Sequence, residues 1–305
     1  MKCDRILICM SSKLRFFDTS MGSFLDNVVK QLPSVPDFVG HFPAQDETVE
    51  NYKTFMRLSK YVKIQRLVFE KDMAPSQFSP EKFTDNINKG KVNQTRTMLG
   101  NFYQWHNMKR CADLKKECED IHGKYDLVIW CRPDLYYFNK LEDLSKLPTG
   151  FYTIGHDNHL CGLNDRFDLG TSDQMQKRMN IGGYFVNEWY PKYSSDMNVL
   201  FSGKNVPDKN KNPQWNAEIV TRHFIQKKLM LKTNKLKLCF GKLRSDDIAT
   251  LPYWFEVHGN DYTGKVCDED LFQKDLYEKL NSYKKQGKGY EGASWGVLDI
   301  NELKL

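Results

Sequence analysis

Short apolar runs alternate with amphipathic stretches through most of this chain, and their spacing predicts the elements. Arg5 to Met10 reads as a first strand, left by the polar loop Ser11-Ser12-Lys13-Leu14-Arg15. From about Ser23 to Gln31, Phe24, Val28 and Leu32 fall on one helical face, and Pro33 and Pro36 end it. Asp37 to His41 is a second short strand. Strand, helix and strand in this order form a βαβ unit, which implies a parallel pair. Asp46 to Lys60 predicts a helix with Asp46 as its cap, and Val62 to Phe69 alternates as a third strand. Residues 72–93, with Pro75 and Pro80, read as a loop able to cover a site.

A long amphipathic helix is predicted from about Thr95 to His122, with Met98, Phe102, Trp105, Met108 and Cys111 on its apolar stripe. It leads into Leu127-Val128-Ile129-Trp130-Cys131, a run apolar on both faces and therefore a fully covered strand. Pro133 has no N–H to donate and stops that ladder. Further strands are expected at Gly150 to Ile154 and Arg166 to Leu169, and helices over Ser172 to Met179, Gly182 to Leu200 and Trp215 to Lys228. Leu229 to Cys239 is strand-like, and the tail from Asp261 has no clear pattern. Strands alternating with helices predict one α/β domain with a Rossmann-like, mostly parallel central sheet flanked by helices. It spans residues 1–245 and carries a C-terminal extension, 246–305.

Composition narrows the class. With 305 residues there is material for an ample core. The net charge of +6 is mild, and no arginine-rich tail suggests nucleic acid as a partner. No apolar stretch is long enough for a membrane span, and the N-terminal run Ile6 to Met10 is too short for a signal-peptide core. Eight scattered cysteines include no CxxC pair. Cys9, Cys131 and Cys239 sit in apolar runs as reduced core residues, so a cytoplasmic location is expected.

Polar residues gather where strands are predicted to end, and open α/β sheets bind ligands at that edge. Ser11, Ser12 and Arg15 follow the first strand, a place where backbone amides and a cation hold nucleotides, although an ordinary polar turn has the same composition. Neither GxGxxG nor GxxxxGK[ST] occurs there. Arg132 and Asp134 flank Pro133. They read either as a pair that closes a strand or as a phosphate-binding cation beside a carboxylate suited to Mg²⁺ or Mn²⁺. The stretch His156 to Gly170 is dense in His, Asn and Asp, with Asn164, Asp165 and Asp168 as candidate ligand-binding groups. The spacing of His156, Asp157, His159 and Cys161 matches no closed zinc site. Glu218 at a helix start reads either as an ordinary N-terminal helix carboxylate or as part of the same site, and the loop residue His258 either as a metal ligand or as solvent-exposed.

Tyr125 to Leu135, YDLVIWCRPDL, and Asn164 to Gly170, NDRFDLG, together resemble two motifs of small cytosolic GT-A-type glycosyltransferases. These enzymes occur in bacterial polysaccharide clusters and large DNA viruses. The resemblance covers most of residues 1–245 and implies a GT-A-like sheet, a UDP- or GDP-sugar donor held at the strand ends and a glycan or other hydroxyl acceptor. It places the chain in the cytoplasm, the host's for a viral member. It puts Asp134 where the metal-binding DxD motif ends, implying a divalent cation, Mn²⁺ or Mg²⁺. Here Arg132 stands at the position of the first carboxylate. Asp165 and Asp168 match acidic positions of the second motif, and Glu218 an acidic position at a helix start. Asp165 and Glu218 are the two candidates for the catalytic base. Two other readings compete. A sugar-1-phosphate nucleotidyltransferase would want a glycine-rich first loop, and a non-catalytic glycan- or nucleic-acid-binding module would rest on the basic stretch Lys204 to Lys242.

Overall fold

A computed structural model describes residues 3–71, 92–154, 163–189 and 217–243, and short strands at 248–250, 284–285 and 297–299. Seven strands form the central sheet: β1 (Ile6–Ser11), β2 (Asp37–Pro43), β3 (Lys63–Glu70), β4 (Leu127–Cys131), β6 (Phe151–Ile154), β7 (Phe167–Gly170) and β8 (Thr233–Leu236). Their order is β3-β2-β1-β4-β7-β6-β8. Every neighbouring pair is parallel except β4–β7 and β7–β6, so β7 alone runs against the rest. This is the mostly parallel, helix-flanked α/β sheet that the alternation predicts. The reversed strand is not legible in the pattern, because direction depends on the path of the chain between strands.

Period-two alternation distributes the strand side chains to two cores. Ile6, Ile8, Met10, Leu127, Ile129, Cys131, Phe167 and Leu169 face one side, with Phe17, Met21 and Phe24 of α1 (Phe17–Asn27) and Phe55 and Leu58 of α2 (Val49–Leu58). Leu7, Cys9, Val39, Val128 and Trp130 face the other. There they meet Trp105, Met108 and Cys111 of α3 (Val92–His122) and Met175 of α4 (Ser172–Arg178). All six cysteines among the described residues are buried free thiols, and burial pushes Cys111 up to about 12. No helix among the described residues is long and apolar enough to cross a membrane.

Some expected boundaries move, each for a local reason. The first helix begins at Phe17, not near Ser23, because Phe17, Met21 and Phe24 already form a buried i, i+4, i+7 stripe. Asp46 does not cap α2. Thr48 does, accepting from Asn51 N at 3.2 Å, while Asp46 Oδ2 accepts from Leu14 N at 2.7 Å and ties down the loop after β1. The helix expected from Gly182 is described as α5 (Ile181–Tyr184) followed by a π-turn, Phe185–Trp189. The helix expected over Trp215 to Lys228 is described as α6 (Ala217–His223) with a second π-turn, Phe224–Lys228.

The stretch Leu229 to Cys239 does not form one strand. β8 joins the central sheet, while the chain resumes as β9 (Phe240–Leu243) in a second, antiparallel sheet. That sheet has the order β11-β12-β10-β9-β5, with β5 at Leu135–Tyr137, β10 at Ile248–Thr250, β11 at Lys284–Lys285 and β12 at Val297–Asp299. The described strands of the C-terminal extension therefore continue a ladder begun by β5 and β9, since β10 pairs with β9.

Candidate functional site

From β1 the chain proceeds outward to β2 and β3, then returns to place β4 on the other side of β1. The strand order thus reverses between β1 and β4, and a crevice opens at the carboxyl ends of such a pair. Both end in the residues singled out above, Ser11 to Arg15 and Arg132 to Asp134. A cavity of about 430 Å³ lies here, lined by Ser12, Lys13 and Arg15 after β1, Pro43 at the end of β2, Arg132 after β4, and Gln104, Asn107 and their neighbours on α3. A larger groove of about 640 Å³ runs past α1 and α2, lined by Asp18, Glu50 and Arg57 among others. It is bordered by charges of both signs and lies away from the strand ends, so the smaller cavity is the better candidate.

The loop after β1 is tightly shaped. Ser12 has φ 121° and Phe16, just before α1, has φ 58°, two left-handed conformations that non-glycine residues adopt at a cost. With Leu14 held by Asp46, the loop presents the exposed side chains of Lys13 and Arg15 at the cavity. Ser11 is fully buried, its hydroxyl accepting from Trp130 Nε1 at 3.0 Å, and so it fixes β1 against β4 beneath the cavity floor.

At the end of β4, Arg132 and Asp134 form a forked pair, with Nε to Oδ1 at 2.9 Å and Nη2 to Oδ2 at 2.6 Å. Their side chains are 15% and 5% exposed. Burial alone would raise the Asp134 carboxyl, but the Arg132 guanidinium, and beyond it Arg15 and Lys242, hold it below the usual carboxylate value. Arg132 Nη1 also donates to Gln104 Oε1 at 2.8 Å. Gln104 in turn donates through Nε2 to the backbone oxygen of Asp165 at 2.8 Å and to its Oδ2 at 3.1 Å. A continuous chain, Asp134–Arg132–Gln104–Asp165, thereby links the ends of β4 and the segment before β7. Gln104 is absent from the sequence-based candidates. Its signal was a polar pair, Gln104 and Asn107, one turn apart beside the apolar stripe of a long helix, both buried.

Asp165 and Glu218 come together through Arg166. Arg166 Nη2 donates to Glu218 Oε1 at 2.9 Å, and its Nη1 lies 3.4 Å from Asp165 Oδ1. Leu163 N donates to the backbone oxygen of Glu218 at 2.9 Å, docking the first turn of α6 on the Asn164 segment. Asn164 is buried and shapes that segment, its Oδ1 accepting from Arg166 N at 2.9 Å. Asp168 lies apart from the cavity lining. It is fully buried on the α3 side of β7, beside Trp130, and receives Arg178 Nε at 2.8 Å. Burial raises its carboxyl and Arg178 opposes the rise. His258 and the stretch from His156 to Cys161 lie outside the described residues.

The divalent cation implied by the resemblance does not fit these residues. Mg²⁺ and Mn²⁺ want several oxygen ligands. Both oxygens of Asp134 already accept from Arg132, Asp168 is directed to Arg178, and among the described residues no acidic side chain lines the cavity. No group of three or more His, Cys, Asp or Glu among the described residues could hold a metal ion.

Residues 1–181 match the family model described as a domain of unknown function (DUF7796). No curated protein matches the chain in sequence. Among solved structures, the chain is similar to the X-ray structure of the mannosyltransferase Ktr4p from S. cerevisiae, at 12% identity and a TM-score of 0.35. The match covers 61% of this chain and 62% of that one, just under two thirds of its length.

Proposed function

We propose that this chain, which belongs to the DUF7796 family, is a glycosyltransferase that moves a sugar from a UDP- or GDP-sugar donor to the hydroxyl of a glycan or similar acceptor. The observation that carries this reading is the cavity at the β1/β4 switch point. It brings three cations, Lys13, Arg15 and Arg132, to the sheet edge where open α/β folds bind nucleotides, and Arg132 is joined through Gln104 to a carboxylate.

The chemistry follows from those charges. In glycosyl transfer the nucleoside diphosphate departs as an anion while the anomeric carbon becomes cationic. Cations fixed beforehand near the leaving group stabilise that charge without reorganising. Arg132 is fixed in this way, since Asp134 and Gln104 hold it from two sides. The acceptor hydroxyl must lose a proton, and a carboxylate accepts it. Asp165, buried behind Gln104 and joined through it to Arg132, is our candidate for this role. Glu218, ion-paired with Arg166, sets the position of the segment that carries Asp165.

Thermal-shift measurements with UDP, GDP, CMP and dTDP test the reading. UDP or GDP is expected to raise the melting temperature, by an amount that grows with the logarithm of its concentration. A flat response to all four nucleotides would remove the basis for a nucleotide-sugar donor.

A further inference from the structure

The cavity's lining bears on how a diphosphate is held, and this inference rests on the donor reading above. We propose that the diphosphate is bound by Lys13, Arg15 and Arg132 directly, with no divalent cation between protein and phosphate, and that Asp134 is a positioning residue for Arg132 rather than a metal ligand.

Three observations support it. First, the charges that the described residues bring to the cavity lining are all positive. Lys13, Arg15 and Arg132 contribute, and among the described residues no aspartate or glutamate does. A metal-bridged site needs anionic oxygens from the protein to hold the cation. This lining would repel a free cation and attract the phosphate itself.

Second, Asp134 is committed elsewhere. Both its oxygens receive Arg132, and its side chain is 5% exposed. Each oxygen keeps a second lone pair, but a metal taken there would have to share the carboxylate with the guanidinium at a nearly buried position, with no further carboxylate among the described lining residues to complete its ligands.

Third, Arg132 has capacity to spare. A guanidinium carries five N–H donors. Asp134 takes one from Nε and one from Nη2, and Gln104 takes one from Nη1. Among the described residues, one N–H on each terminal nitrogen remains, and Arg132 borders the cavity. Two such donors on a planar group match the geometry of phosphate oxygens. Arg132 is thus gripped on its inner side by a carboxylate and presents its remaining donors outward. Lys13 and Arg15, on exposed side chains of the loop, supply the other two charges.

Calorimetric titration of the full chain tests this with pyrophosphate and, separately, with UDP and GDP. Each is run in EDTA and again in millimolar Mn²⁺ or Mg²⁺. The expected result is binding of pyrophosphate and one nucleotide in EDTA, with Kd for the nucleotide changed less than about threefold by metal. Asp134→Asn is expected to weaken pyrophosphate about tenfold without creating a need for metal, because the orientation of Arg132 loosens while its charge remains. Nucleotide binding that appears only with metal would overturn this inference and leave the donor reading intact. Pyrophosphate binding in EDTA without any nucleotide binding would uphold the cationic cradle and overturn the donor reading. Failure of both probes under every condition would overturn both.

Discussion

Arg178→Met is expected to destabilise the fold by about 3–5 kcal/mol, the cost of leaving one member of a buried ion pair alone. Arg178 and Asp168 are both wholly excluded from solvent, with Nε 2.8 Å from Oδ2. The guanidinium also lies 5.8 Å from the ring of Trp130 and donates to Met108 Sδ at 3.5 Å. It therefore pins α4 to β4, β7 and α3 at once. Removing it leaves the Asp168 carboxylate in an apolar layer beside Trp130, its neighbour in the β4–β7 register. Asp168→Leu alone should cost a similar amount. The double change Arg178→Met with Asp168→Leu should cost clearly less than either, because apolar side chains of like volume replace a buried pair without an orphaned charge. Urea denaturation of the three variants measures this. Single variants that lose under 1 kcal/mol would show that the pair is not holding the sheet to α4.

Arg132→Lys carries the largest expected effect on turnover. Lysine keeps the positive charge but cannot make the fork to Asp134, reach Gln104 and present a planar pair of donors together. Lys13 and Arg15 still draw in the donor, so its binding should weaken only about tenfold, as expected for Asp134→Asn, rather than be lost. The stabilisation of the departing diphosphate should fall, lowering turnover about 100- to 1000-fold, the usual cost of one preorganised donor at developing negative charge. Steady-state release of the nucleoside diphosphate, from a panel of sugars of whichever nucleotide the thermal shifts identify, gives the turnover and KM. Turnover within threefold of the unsubstituted protein would remove Arg132 from the chemistry. A large rise in KM with turnover unchanged would place its role in binding alone.

Apolar runs covered on both faces, such as Leu127 to Cys131, identify central strands because burial on both sides demands that composition. Their carboxyl ends bring Ser12, Arg15 and Arg132 to one cavity, as the order of elements suggests. Pairings fixed by distant contacts were not legible. Asp46 looks like a helix cap in sequence, yet its carboxylate bonds to Leu14, 32 positions away. Gln104 looks like a surface residue of an amphipathic helix, but bonds to Arg132, 28 positions away, and to Asp165, 61 positions away. Asp168 matches an acidic motif position, while its burial against Arg178 is set by the reversed direction of β7. The second sheet is not legible for a similar reason. β5 and β9 are short, and they gain their order from β10 and β12 beyond the expected domain boundary.

The most direct measurement of the central claim is nucleotide binding by a Lys13→Ala/Arg15→Ala double variant beside the unsubstituted protein. Both side chains are exposed and lie at the cavity, so their removal takes away two charges without disturbing the core. Without nucleotide, the two proteins should melt within a few degrees of each other. With millimolar UDP or GDP, the unsubstituted protein should gain melting temperature and the double variant should gain little or none. Equal gains in both proteins would contradict the account, since the nucleotide would then be held somewhere other than the cavity between β1 and β4.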